Sequence, residues 1–227
     1  MKKTRGPLVP RYAYAPLAAA AILNLAVFYG TRPLTAGRTH YELAIALDGR
    51  IPFWPVFVVF YVLAFLQWPV GYIMAARENR ALCYDMVSGD IIAKLLCMAC
   101  FLALPTAITR PALGGGFWDR LVGIIYFFDS PDNCFPSIHC LESWLCARMA
   151  LKGTRTPRWY GAGMMALALL VCASTVLIRQ HVLLDIPAGI LAAELGLWIA
   201  RRVRLGRIFV RLEGRGHNHM EQAPRRR

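Results

Sequence analysis

Six apolar runs, most of them near the length of a bilayer crossing, constrain this chain more than any other feature. They extend from Ala13 to Gly30, Ile51 to Ala75, Ile91 to Ile108, Ser137 to Leu151, Gly161 to Ile178 and Val182 to Ile199. A helix needs about 20 apolar residues to cross hydrocarbon, and helices satisfy their own backbone groups there. The expected fold is therefore all-α: a six-transmembrane-helix bundle over residues 1–200, then a basic tail over 201–227. No internal repeat and no second domain is visible. The fourth run is short and carries Glu142 and Arg148, so it reads as a helix buried among its neighbours. The first follows Lys2, Lys3 and Arg5 like a signal sequence, but no small-residue cleavage site follows it, and it is kept as a span.

Charge then orients the bundle. The chain is 57% hydrophobic yet has a formal net charge of +13. With the amino terminus inside, 19 of the 26 Lys and Arg residues fall in inside segments, six fall outside, and Lys94 lies within the third run. The positive-inside rule then puts both termini in the cytoplasm. The arginine-rich tail reads as facing lipid headgroups, with His217 and His219 solvated. Nucleic acid is not an expected partner, because no soluble domain remains once the spans are removed. The composition is compatible with a multi-pass protein of a bacterial inner membrane. Cys97, Cys100, Cys146 and Cys172 lie in apolar runs and read as packing residues. A bond between Cys134 and Cys140 is left open.

Three stretches of unusual polarity meet the outer ends of these runs. The third run ends at Arg110-Pro111, the fourth begins at Pro136-Ser137-Ile138-His139, and the link between the fifth and sixth holds Arg179, Gln180, His181 and Asp185. His181 and Asp185 are four apart, one helical turn, so the carboxylate fixes the imidazole tautomer and leaves the other nitrogen basic. Such a pair suits a nucleophile or a general base, and His139 adds an acid from another helix. Arg110 and Arg179 are candidate phosphate ligands, because a guanidinium holds two oxygens at once. Ser137 is placed as an N-cap, where the first helical turn presents N–H groups and a positive dipole end to an anion. Together these groups describe a phosphoryl-transfer site that calls for no metal and no other cofactor.

At these residues the chain resembles the type-2 phosphatidic acid phosphatase superfamily, the integral-membrane lipid phosphate phosphatases. The family pattern is K-x6-R-P, then P-S-G-H, then S-R-x5-H-x3-D, and the resemblance covers about Ile91 to Ala200. It implies that His181 forms a phosphohistidine, that Asp185 orients it, and that His139 protonates the leaving alcohol. It also implies that Ser137 and Arg110 hold phosphate oxygens. Two motif cations are absent: Ala103 stands where the lysine belongs, and Thr175 follows Ser174 where the arginine belongs. Lys94 is 16 residues before Arg110, roughly 24 Å along a helix, and is expected to snorkel toward the cytoplasmic side. Arg179 or Arg120 is the expected substitute by position. The F-P-S-I-H stretch and the arginine-poor third motif are similar to the inositol phosphorylceramide synthase branch, which passes a headgroup to an alcohol.

The resulting expectation is a lipid phosphatase acting on a phosphomonoester or pyrophosphate, of the phosphatidate, phosphatidylglycerol phosphate or isoprenyl diphosphate type, at the extracytoplasmic face. Headgroup transfer of the inositol phosphorylceramide or sphingomyelin synthase type is the first alternative. A non-catalytic membrane protein with a degenerate site is the second. Phe117 to Phe128 reads as an interfacial aromatic belt or a short reentrant helix. Asp129, Asp132 and Asn133 read as turn formers beside Pro131. Glu194 is expected to have a polar partner inside the bundle, and Glu142, a turn beyond His139, to tune it.

Overall fold

The computed structural model describes residues 7–213. The basic residues before that range, His217, His219 and the tail from 214 onward lie outside the described residues. Among the described residues eight bounded α-helices are formed: α1 (Tyr14–Gly30), α2 (Arg32–Thr35), α3 (Val58–Glu78), α4 (Arg80–Ala103), α5 (Phe117–Phe128), α6 (Ile138–Lys152), α7 (Arg158–Leu177) and α8 (Asp185–Arg202). The chain is all-α, and a further helical stretch runs from 207 to 213. Four stretches are long and apolar enough to cross a membrane: Arg11–Thr35, Pro55–Glu78, Arg80–Ala103 and Arg158–Leu177. This makes a multi-pass membrane protein. By length and composition α6 and α8 do not join that set. α6 has 15 residues, and α8 carries Asp185, Glu194, Arg201 and Arg202.

The third apolar run is displaced from its expected bounds. The helix starts at Arg80, because Asn79 is extended at φ −172 and its side chain accepts a hydrogen bond from Leu82 N–H at 2.8 Å. That N-cap satisfies one of the orphan donors of the first turn. It also turns α3 into α4 through a single residue. The polar residues Asp85 and Asp90 hid this first half from an apolar count. The helix stops at Ala103 because Pro105 disfavours helical backbone at Leu104.

The six long helices run alternately between two ends of the bundle. Ala13 before α1, Ala76 of α3 and Cys83 and Tyr84 of α4 share one cluster at one end. At the same end Glu78 accepts from Thr154 N at 2.6 Å and Arg155 N at 2.7 Å, and Arg201 pairs with Asp85 at 3.0 Å. The start of α1 and the end of α8 therefore share that end. The opposite end collects the start of α3, the end of α4, α5, the start of α6, the end of α7 and the start of α8.

α6 is the central element. Leu141, Leu145, Cys146 and Met149 are buried against Met86 and Phe101 of α4 and Leu197 of α8. Glycines let the backbones approach: a Cβ on Gly189 would lie 2.4 Å from Ser137 O, and one on Gly196 would lie 2.4 Å from Gly89 O. Small residues at such crossings are the usual device of membrane helices. The outer faces carry exposed apolar side chains, among them Ile22, Leu25, Val62, Leu66, Leu169, Leu191 and Trp198. The seven cysteines are free thiols, Cys134 and Cys140 included.

Lys94 does not snorkel. It is 1% exposed and lies 2.8 Å from Asp90 and 2.5 Å from Glu142, which also accepts from Tyr72 O–H at 2.9 Å. An ammonium buried in a bundle needs such partners, and two carboxylates supply them. Glu142 therefore serves Lys94 rather than His139. Glu194 has the expected polar partners: Trp144 Nε1 at 2.9 Å and Arg148 Nε at 2.5 Å.

Candidate active site

The link between α7 and α8 builds the first half of the site. α7 closes in a Schellman pattern, with Arg179 N–H on Val176 O at 3.2 Å and Gln180 N–H on Thr175 O at 2.9 Å. Arg179 takes the left-handed conformation this motif requires, at φ 54. The next residue is His181, whose own N–H also reaches Thr175 O at 3.0 Å. Its Nδ1 then meets Asp185 Oδ2 at 2.9 Å, and Val182 N–H donates to the same oxygen at 3.1 Å. Burial lowers the His181 pKa, but the hydrogen bond and charge of Asp185 outweigh it, and the net direction is up.

The start of α6 builds the other half. Ser137 is the N-cap: its Oγ accepts from Cys140 N–H at 3.3 Å, and its own N–H donates to Asp185 O at 3.3 Å. That last bond ties the two halves together. His139 follows on the first turn. Its ring centroid is 6.2 Å from that of His181. It stacks on Tyr61 at 4.2 Å, with Phe65 at 5.5 Å and Trp68 at 5.0 Å completing an aromatic wall. Tyr61 O–H lies 3.4 Å from His139 Nδ1, and His139 Nε2 is buried without a partner. His139 is 7% exposed, His181 8% and Asp185 0%, so the site is largely closed to water.

The two arginines differ in placement. Arg110 reaches the residue before His181: it donates to Gln180 Oε1, to Asp129 O at 2.5 Å and to Tyr126 O at 3.1 Å, and lies 4.2 Å over the Tyr126 ring. Arg179 is turned to another task. Its guanidinium donates to Asp48 O at 2.8 Å and Ile51 O at 2.5 Å. Asp48 in turn accepts from Leu183 N–H at 2.8 Å, so this loop braces the segment that carries His181. The structure thus brings His139, His181, Asp185, Ser137 and Arg110 together and engages Arg179 elsewhere.

Four side chains at the site carried no motif signal: Arg32, Tyr61, Asp48 and Gln180. Asp129, read as a turn former, accepts from Tyr61 O–H at 2.6 Å and from Gln180 Nε2 at 3.4 Å, and pairs with Arg32 at 3.5 Å. Asn133 takes the left-handed conformation, at φ 53, without a turn assigned there. Phe117 to Phe128 is the helix α5, with Val122 buried against Val58, Tyr61 and Ile178. Among the described residues no three His, Cys, Asp or Glu side chains gather as metal ligands.

Chemically, the arrangement offers a basic Nε2 on His181, a second imidazole across a gap, a helix amino terminus and a guanidinium. No curated protein and no solved structure matches the chain. Residues 110–209 match the family model of the PAP2 superfamily, whose members are typically phosphatases. Arg110, the Ser137–His139 helix start and the His181–Asp185 pair all lie inside that matched region, and over these residues the chain is similar to the PAP2 superfamily.

Proposed function

We propose that this protein transfers the phosphoryl group of a lipid phosphate through a phosphohistidine on His181. One observation carries the reading: His181, oriented by Asp185 at 2.9 Å, faces His139 across a 6.2 Å centroid gap at the start of α6. With Nδ1–H held by Asp185, His181 Nε2 attacks phosphorus. The P–O bond to the lipid breaks, and protonated His139 gives its proton to the leaving oxygen. Water then attacks the phosphohistidine, His139 takes the water proton, and phosphate leaves with His181 restored. Ser137, Arg110 and the α6 amino terminus hold the phosphoryl oxygens. Substrates of the phosphatidate, phosphatidylglycerol phosphate or isoprenyl diphosphate type fit this chemistry.

In this reading α6 and α8 cross the membrane with the four longer helices, as six spans. Both termini are cytoplasmic, and the site opens to the outer leaflet. A second acceptor is favoured by the enclosure of the site. Both histidines are under a tenth exposed, and Tyr61, Phe65 and Trp68 wall His139, which suits an alcohol as much as water. The F-P-S-I-H stretch and Thr175, similar to the inositol phosphorylceramide synthase branch, point the same way. The experiment is phosphate release from a panel of lipid phosphates by purified protein in EDTA, with and without an alcohol acceptor. Release that requires His181 supports hydrolysis. A phosphorylated alcohol without free phosphate supports transfer. Neither product from folded protein overturns the reading.

A further inference from the structure

The site lacks two motif cations, and the positions that should hold them give nothing back. Ala103 is the exposed last residue of α4. Thr175 is 0% exposed, its hydroxyl turned to Cys172 O at 2.7 Å. Arg179 is occupied with Asp48 and Ile51. A cation arrives instead from the far amino-terminal part of the chain. Arg32 opens the short helix α2 at the site end of α1, held over the Phe28 ring at 4.2 Å. Its Nη2 is 3.5 Å from Asp129 Oδ1, and its Nε is 2.8 Å from Asp132 Oδ1.

Asp129 is the anion at the centre of this network. Tyr61 O–H, Gln180 Nε2 and Arg32 surround its carboxylate, and Arg110 donates to its backbone oxygen. Through Tyr61 that carboxylate is two hydrogen bonds from His139. The donors around it are those a phosphoryl group would use. Arg32 Nε and Nη2 meet their carboxylates as ion pairs without a well-directed hydrogen bond, and Arg110 Nε and His139 Nε2 are buried without a partner. Arg32 also fronts an open cleft of about 680 Å³, lined by Tyr29, Pro33, His40 and Asp132, which leaves the guanidinium room to move.

We infer that Arg32 is the replacement phosphate cation of this site, and that Asp129 holds its place until a phosphoryl group arrives. This rests on the phosphoryl-transfer reading above. Arg32, Gln180 and Tyr61 form the donor set, and substrate phosphate displaces the Asp129 carboxylate from it.

The test uses the full-length protein in phosphatidylcholine nanodiscs. Orthovanadate binding is followed by calorimetry, and KM and kcat by phosphate release from the best lipid phosphate. Loss of one charge-assisted guanidinium–phosphate contact weakens anion binding about 10- to 100-fold. Arg32→Ala is expected to raise both the vanadate Kd and KM in that range, with kcat less affected. Arg32→Lys, which keeps the charge and covers the case of a misfolded alanine variant, restores part of the loss. Asp129→Asn removes the competing anion and lowers the vanadate Kd. Asp132→Asn leaves the cation in place and does not raise it. An unchanged Kd and KM in Arg32→Ala overturns the inference. So does an equal loss of affinity in Arg32→Ala and Asp129→Asn, which marks a purely structural ion pair. Arg32-dependent vanadate binding without phosphate release leaves the inference standing and removes hydrolysis. No vanadate binding by the unaltered protein removes both.

Discussion

At the scale of single residues, the proposed chemistry turns on the His181–Asp185 pair. Asp185 does three things at once: it orients the imidazole, accepts from Val182 N–H, and through its backbone oxygen receives Ser137 N–H. His181→Ala is expected to abolish phosphate release, because the proposed reaction passes through its Nε2. His139→Ala should lower the rate by about 10²- to 10⁴-fold, the usual worth of a placed acid. Phosphate release in EDTA measures both. The pH profile follows from the raised His181 pKa. Nε2 must be unprotonated to attack, so activity falls as pH drops through a value above the ordinary ~6.5 of histidine. Asp185→Asn removes the anion that raises that pKa. The acidic limb then moves to lower pH while the maximal rate drops, because the tautomer is no longer held. A pH–rate series on the two proteins reads both effects, and an acidic limb that stays in place removes Asp185 from this role.

At the scale of elements, the site depends on how closely α8 can approach α6. Gly189 sits on α8 one turn beyond Asp185 and leaves no room for a methyl group against Ser137 O. Gly189→Ala is expected to push the two helices apart, destabilising the protein by about 1–3 kcal/mol as overpacking does. It also separates His139 from His181. Gly163 is the internal control: it lies within α7, where a Cβ would meet nothing within 4 Å. Gly163→Ala should be neutral or stabilising, by up to about 1 kcal/mol from helix propensity. Thermal melts in detergent together with phosphate release separate the two variants. Equal melting temperatures would show that the Gly189 contact relaxes freely.

At the scale of the whole molecule, the buried Asp90–Lys94–Glu142 group clamps α4 to α6 and so fixes the helix that carries His139. Removing one member leaves uncompensated charge. Lys94→Met is therefore expected to cost about 3–5 kcal/mol, seen as a large drop in melting temperature. Replacing Asp90, Lys94 and Glu142 together with Leu, Met and Leu should recover much of that loss, because apolar packing replaces the ion pairs. A triple variant no more stable than Lys94→Met would show that the ions themselves, and not their mutual neutralisation, hold the bundle.

The division between what the residues declare locally and what packing decides is clear in this protein. Apolar runs, proline and asparagine boundaries and a four-residue His–Asp spacing are short-range properties, so the sequence by itself determined the helical class, nearly all the long helices and the core of the candidate site. The third helix was legible only in its second half. Its first half carries Asp85 and Asp90, whose partners Arg201 and Lys94 make those charges tolerable. Arg32, Tyr61 and Gln180 were not legible as site residues. Tyr61 meets Asp129 across 68 positions of chain and His139 across 78, and no local pattern encodes such meetings. Arg179 shows the same principle in reverse. Its position beside His181 is local, but the direction of its guanidinium is decided by carbonyls of Asp48 and Ile51. Hydrogen bonds and ion pairs act over a few ångströms, so which charges meet is known only once the helices are packed.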